Sequence, residues 1–209
     1  MNIIESLEWR YATKKFDNTK KLSKEQLQTI KKAFNLTATS YGLQTLSLVI
    51  VETPEIREQL LPHAFNQKQI IDASHLLVLC YPNDFDGANV EEYFNRVKKK
   101  RNTPDEILKP FRDFLMNDFD SKSELDKHKT FIHQTYIALG NLLTVCALEK
   151  IDSCPMEGFN PAKFDEVLKL KEKNLKSALL LPVGFRAKDD FMAKEKKVRK
   201  SLSEIIIEI

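Results

Sequence analysis

The chain contains no G-x-G-x-x-G and no G-x-x-x-x-G-K-[ST] stretch, so it offers neither a Rossmann fingerprint nor a Walker loop. Any nucleotide or flavin phosphate would have to be held by side chains. Zinc-site spacing is missing too. The four histidines form no H-E-x-x-H, and His128 and His133, five apart, fall on different sides of a helix, so no metal is expected. Serine nucleophile motifs are absent. The three cysteines, Cys80, Cys146 and Cys154, lie in apolar neighbourhoods without C-x-x-C spacing, which suits buried thiols in a reducing compartment rather than a disulfide framework. No apolar run approaches the roughly 20 residues of a membrane helix. The opening MNIIESLEWR has an early acid and too short an apolar stretch for a signal peptide. These absences lead to the expectation of a cytoplasmic protein that meets no membrane. With 33 basic and 30 acidic residues there is little net charge, which argues against a dedicated nucleic-acid binder.

What is present is a chain of 209 residues with 13 Phe and only 5 Gly, long enough to bury its own core without metal or disulfide staples. Asn2 with Glu5, and Ser23 with Gln26, are helix-start signals; Leu27, Ile30 and Phe34 space the second helix over roughly 23–36. The β-branched run at 46–52 and the apolar run at 75–81 read as strands, and Thr53-Pro54 opens a helix between them. Residues 84–128 are charge-dense, with four consecutive cations at Lys98, Lys99, Lys100 and Arg101. They read as a mostly helical excursion from a single domain spanning 1–209. Phe131, Ile132, Thr135, Leu139, Leu142, Leu143 and Cys146 keep a 3.6-residue rhythm over about 124–149, so that helix belongs at the centre of a core or an interface. Strands are expected at 151–155 and 177–184. The closing IIIEI, 205–209, reads as a further strand, a liability on an exposed edge, so it either joins the protein's own sheet or adds to a partner's. Few strands among many helices indicate an α+β fold.

No nucleophile, base and acid constellation is visible, so an enzymatic reaction would depend on a cofactor. Arg10 and Lys14 bracket a short extended stretch. Lys197 and Arg199, two apart, point the same way if the chain is extended; a planar guanidinium fork beside an ammonium suits a phosphate, although a solvated basic face has the same letters. The stretch DSCPMEGFNP at 152–161 sets Cys154 beside Glu157 and Gly158. With no histidine nearby to lower its pKa, Cys154 reads as an inert buried thiol.

Seven collinear segments carry a wider resemblance: RYATKKFD (10–17), ATSYGLQ (38–44), NQKQIIDASH (66–75), YIALGNLL (136–143), DSCPMEGFNP (152–161), LPVGFR (181–186) and KKVRK (196–200). Together they resemble the FMN-dependent nitroreductase family, in particular its small NAD(P)H oxidoreductases related to oxygen-insensitive nitroreductase and dihydropteridine reductase. The resemblance implies an α+β nitroreductase-like fold with a mostly antiparallel central sheet flanked by helices. It implies a homodimer with exchanged, domain-swapped C-terminal strands and FMN at the interface, with NADH or NADPH as electron donor. It gives Arg10 and Lys14 to the flavin, with Tyr11 and Ala12 beside them, and Lys197 and Arg199 to the phosphate. Thr39, Ser40 and Tyr41 would come from the opposite subunit, and Asn66 would meet the pyrimidine edge. Pro155, Met156, Glu157 and Gly158 would line the ring, the Glu157 and Gly158 main-chain amides facing N5. Phe65, Phe111 and Phe114 either shape the acceptor pocket or pack in the core.

The pattern departs from better-known members at Ala12, usually Ser; at Thr45-Leu46, usually Pro and an aromatic; and at Gln69, Lys in some relatives. The implied activity is ping-pong reduction of a small-molecule acceptor such as a nitroaromatic or quinone. A flavin-binding or sensory protein without efficient turnover is the alternative. Without the resemblance, a helical interaction protein with basic ends fits the same composition.

Overall fold

Reciprocal hydrogen bonds between Asn2 and Glu5 start the first helix, α1 (Ile3–Trp9), and the same box at Ser23 and Gln26 starts α2 (Lys24–Asn35). The computed structural model describes residues 2–209. After α2 come strand β1 (Ser47–Val51), α3 (Pro54–Leu60), the short α4 (Gln69–Asp72) and β2 (His75–Pro82). The excursion supplies α5 (Gly87–Arg101) and α6 (Asp105–Ser121), and α7 (Glu124–Leu148) follows. Strand β3 (Asp152–Ser153), α8 (Pro161–Val167), β4 (Leu175–Gly184) and α9 (Leu202–Ile205) complete the order.

The four strands form one antiparallel sheet in the order β1-β2-β4-β3. Its central strands are apolar at almost every position because both faces are covered, and the pleat divides their side chains between two cores. Leu76, Val78 and Cys80 of β2 and Leu180 of β4 face α3, α4 and α8 with Leu60, Ile70 and Phe164. Leu77 and Leu79 of β2, with Leu179, Leu181 and Val183 of β4, face Ile30 of α2 and Leu139, Leu142 and Cys146 of α7. Each fully buried Leu or Phe contributes about 1.5–3 kcal/mol, so these two layers dominate the fold's stability. A third cluster, built on Phe94, Leu115, Phe119 and Phe131, ties the excursion to α7. α7 is long and apolar enough to cross a membrane, but nearly half of its apolar window is buried inside this protein.

Two expectations from sequence need correction. The strand expected at 151–155 is cut to Asp152–Ser153, because Pro155 has no N–H to donate. The ladder survives only in pieces: Cys154 N donates to Pro182 O at 3.1 Å, and Met156 exchanges bonds of 2.9 and 3.0 Å with Leu180. The closing isoleucines form no strand within one protomer. Glu204 accepts from the Ser201 amide at 2.7 Å and closes a helical turn that takes in Ile205. Residues 206–209 are exposed and belong to no regular element.

Candidate active site

Residues 10–17 run as an extended strap held from both sides. Ala12 bridges Ser153 in parallel, and Phe16 bridges Arg186 in antiparallel fashion. Asp190, 3% exposed, fastens the strap by accepting from Tyr11 Oη at 3.1 Å, Lys14 N at 3.0 Å and Lys15 N at 3.3 Å. Asp152 accepts from Arg186 N at 2.8 Å and Nε at 2.6 Å. The Arg186 guanidinium in turn lies between the rings of Trp9 and Tyr11, 4.3 and 4.4 Å from their centroids. Burial raises the Tyr11 phenol to about 12, with Arg186 opposing and Asp190 adding to the rise. A phenol so placed stays protonated and donates to the carboxylate.

This scaffold brings three cations together. Arg10 is half-buried, and its Nε finds no acceptor among the described residues. Its pKa is lowered by burial and then by Arg199. Burial, followed by Arg10, Arg199 and Arg186, lowers that of Lys197, whose ammonium donates to the carbonyl of Glu8. Glu8 offsets this mutual repulsion only in part, and a cluster of cations left so marks a place for an anion. Lys14 stands beside them, its Nζ 4.0 Å from Cys154 Sγ. Cys154 is buried with a raised pKa, burial outweighing Lys14 and a hydrogen bond from Gln69, so the thiol stays protonated.

The loop after Cys154 meets the strap from the sheet edge. Glu157 and Gly158 are exposed, and their amides donate to no main-chain carbonyl among the described residues. Gln67 Nε2 donates to Gly158 O at 2.8 Å and to Ala64 O at 3.1 Å, and Asn160 N donates to His63 O at 2.8 Å. The two loops are thereby locked together. Between those contacts Phe65 and Asn66 take left-handed backbone conformations, φ 53° and 56°, a strain that surrounding structure must support. A Cβ on Gly158 would lie 3.2 Å from Gln67 Nε2 and close to the Phe65 ring. Tyr136 of α7 faces the Glu157 carboxylate, whose hydrogen bond raises the phenol pKa.

Thr39, Ser40 and Tyr41 form a second group with different neighbours. Ser40 N donates to Gln134 Oε1 at 2.8 Å, and the Tyr41 ring meets Phe111 edge-on at 6.0 Å. Phe111 stacks with Phe114 at 6.4 Å, and both are exposed, as is Phe65. None of the three is buried in a core, although Phe111 also meets the core ring of Phe94 edge-on at 5.9 Å. The structure thus gathers Arg10, Lys14, Lys197 and Arg199, and beside them the 154–158 loop, but gives 39–41 contacts of their own. Sequence reasoning missed Asp152, Asp190, Arg186 and Tyr136, and read Gln67 only as a polar amide beside Asn66. Four of these stand inside the segments that carry the resemblance, though nothing in the letters gave them a role; Asp190 lies outside every one. A cavity of about 690 Å³ is lined by Lys21, Glu52, Arg57, Asp72 and His75 among others and touches neither group. Its buried Arg57 donates to the carbonyls of Ile70, Ala73 and Ser74, a structural use.

The sequence profile of the Nitroreductase family matches residues 7–185. The oxygen-insensitive NAD(P)H nitroreductase of Enterobacter cloacae is 30% identical over 216 residues that cover all of both chains. A candidate NAD(P)H nitroreductase of Staphylococcus epidermidis is 34% identical, covering 98% of this chain and 95% of its own. In fold, the chain is similar to a candidate nitroreductase of Exiguobacterium sibiricum solved in complex with FMN. That superposition has a TM-score of 0.84 at 17% identity, covering 100% of this chain and 98% of the other.

Proposed function

The chain belongs to the nitroreductase family, and from that premise we propose that it is an FMN-dependent NAD(P)H oxidoreductase acting as a cytoplasmic homodimer. The observation that carries the reading is the cluster of Arg10, Lys197 and Arg199, only partly offset by Glu8, with the Arg10 Nε left without an acceptor among the described residues. A phosphate monoester dianion fits that cluster; a neutral ligand would leave the repulsion in place. FMN held by Arg10, Lys197 and Arg199 would supply hydride-transfer chemistry, linking oxidation of NADH or NADPH to reduction of a small acceptor, a nitroaromatic or quinone, in ping-pong order.

The chain's own residues supply position and charge. Lys14 adds positive charge next to the strap, where it would stabilise an electron-rich ring. The free amides of Glu157 and Gly158 give oriented donors without a side-chain acid or base, and Gln67 anchors the adjoining Gly158–Phe159 peptide through the Gly158 carbonyl. Asn66 supplies an exposed amide from a strained turn. Thr39, Ser40 and Tyr41 complete the site from the other subunit, with Phe65, Phe111 and Phe114 bordering the acceptor. The exposed Ile3 and Ile4 of α1, Tyr136 and Ile137 of α7 and the closing isoleucines provide apolar surface for the dimer.

FMN titration of Arg199→Ala tests the reading. Losing the charge-assisted contacts should weaken flavin binding by about 1.5–3 kcal/mol, roughly 10- to 100-fold. Unchanged affinity would refute the clamp. Purified protein should be yellow, bleach with NADH or NADPH and recolour with a nitroaromatic; a colourless protein that takes up no FMN would remove the whole proposal.

A further inference from the structure

The basic run at Lys98–Arg101 is unused by the site described above, and its last two members close one side of a separate cleft. This cavity, about 460 Å³, lies between α5 and the 37–44 loop and is lined by Thr39, Gly42, Tyr93, Arg96, Lys100 and Arg101 among others. Its lining contains no carboxylate. Arg96 pairs with Glu92 at 2.5 Å and Lys98 with Asp105 at 3.6 Å, whereas Lys100 and Arg101 have no ion-pair partner among the described residues. The C-terminal end of α5 opposes an anion with roughly half a negative charge. The charges of Lys100 and Arg101 in that last turn outweigh it.

The cleft is preformed on its loop side. Gly42 sits at φ +73°, and a Cβ there would fall 2.6 Å from the Tyr93 hydroxyl, so a side chain at this position would be strained and would push the tip of the Tyr93 ring aside. Thr39 Oγ1 accepts from Gln44 N at 3.1 Å, which leaves its own hydroxyl proton to donate into the cleft. Thr39 and Gly42 also flank Ser40 and Tyr41, so one loop borders both this cleft and the Tyr41–Phe111 surface.

We propose that the cleft receives the 2′-phosphate of NADPH and that Lys100 and Arg101 make the protein prefer NADPH to NADH. This rests on the proposed function, in which the 39–41 segment borders the place where nicotinamide reacts. The two donors share their redox chemistry and differ by one phosphate monoester. A guanidinium fork with an ammonium recognises that group, whereas a carboxylate would select the free ribose hydroxyl, and the cleft offers only the former. Binding energy gathered this far from the hydride acts on KM more than on kcat.

The experiment uses the flavin-loaded protein. 2′,5′-ADP and 5′-AMP are titrated by calorimetry at low and high salt, and NADPH and NADH are compared by kcat/KM. The wild type should bind 2′,5′-ADP about tenfold or more tighter than 5′-AMP, with the difference shrinking in salt. A Lys100→Ala, Arg101→Ala double variant should lose that difference and lower the NADPH-to-NADH ratio about tenfold, mainly through KM for NADPH. Lys100→Glu, on an exposed helix end, should do the same with an unchanged melting temperature. Equal binding of the two nucleotides, a ratio unaffected by the substitutions, or displacement of 2′,5′-ADP by an equal concentration of inorganic phosphate would each overturn the proposal. Failure of the functional reading looks different: neither nicotinamide would bleach the flavin, while 2′,5′-ADP binding that depends on Lys100 and Arg101 would still support the cleft.

Discussion

Four hydrogen bonds converge on the carboxylate of Asp190, from Tyr11 Oη, Lys14 N, Lys15 N and Met192 N. Asp190→Asn keeps the shape but turns an N–H₂ toward donors and removes the charge. It should lower stability by about 2–3 kcal/mol and weaken FMN binding with it, as a denaturant melt and a flavin titration on the same sample would show. Lys197 gives a pH prediction. Burial and its cationic neighbours hold its pKa below the usual lysine value, yet phosphate binding needs the ammonium. FMN affinity should therefore fall as pH rises from about 7 towards 10, sooner than an isolated lysine would dictate. Apoprotein stability has the opposite sign. A folded pKa below the unfolded one means fewer protons bound when folded, so the strain eases as pH climbs through the folded value. Titrating flavin and melting the apoprotein over that range checks both directions. Arg10, Lys197 and Arg199 were readable in the sequence because cation types at short spacing are themselves the signal. Asp190 was not, since one acid of a Lys-Asp-Asp stretch looks like any loop residue until the fold brings the strap to it.

At the scale of elements, α7 shows what periodicity gives and withholds. Its apolar residues nearly surround it, which announced a central helix. Only the packed structure distinguishes Ala138, Leu139, Leu142 and Cys146, turned to the sheet, from Tyr136 and Ile137, turned outward. Gly140 faces open space in the protomer, where a methyl group in place of its hydrogen would meet nothing within 4 Å. Ile137→Glu should leave the protomer's helix content unchanged, since the side chain is 48% exposed, while a charge in the proposed interface should give a monomer that loses FMN. Light scattering and far-ultraviolet dichroism measure the two consequences, and a variant that remains dimeric would place the interface elsewhere. The strand at 152 follows a similar rule. The sequence placed a strand over 151–155, but Pro155 decided where its regular ladder stops.

Taken as a whole molecule, the protomer offers two incomplete groups. One is the cationic strap with the 154–158 loop. The other is the 39–41 segment with Phe111 and Phe114, and its contacts run to α6 and α7 instead. A twofold homodimer that pairs unlike groups would complete two sites at once, and it would cover the exposed isoleucines of the tail. Removing residues 205–209 should lower the dimer's melting temperature and shift it toward monomer on dilution. A truncated protein that melts and sediments like the full chain would show that the tail has no part in assembly.

By itself the sequence determined the helix starts at Asn2 and Ser23, the two central strands, the inert character of its thiols and the side chains available to an anion. These depend on local capping, on periodicity and on residue chemistry, all of which act over a few positions. Only the tertiary structure decided which groups meet. It set Arg10 against Arg199 across most of the chain, tied Lys14 to Asp190, closed Gln67 onto Gly158 and left Lys100 and Arg101 facing a cleft without a carboxylate. Electrostatic repulsion and hydrogen bonding depend on distance in space, and the distance along the chain carries almost none of that information.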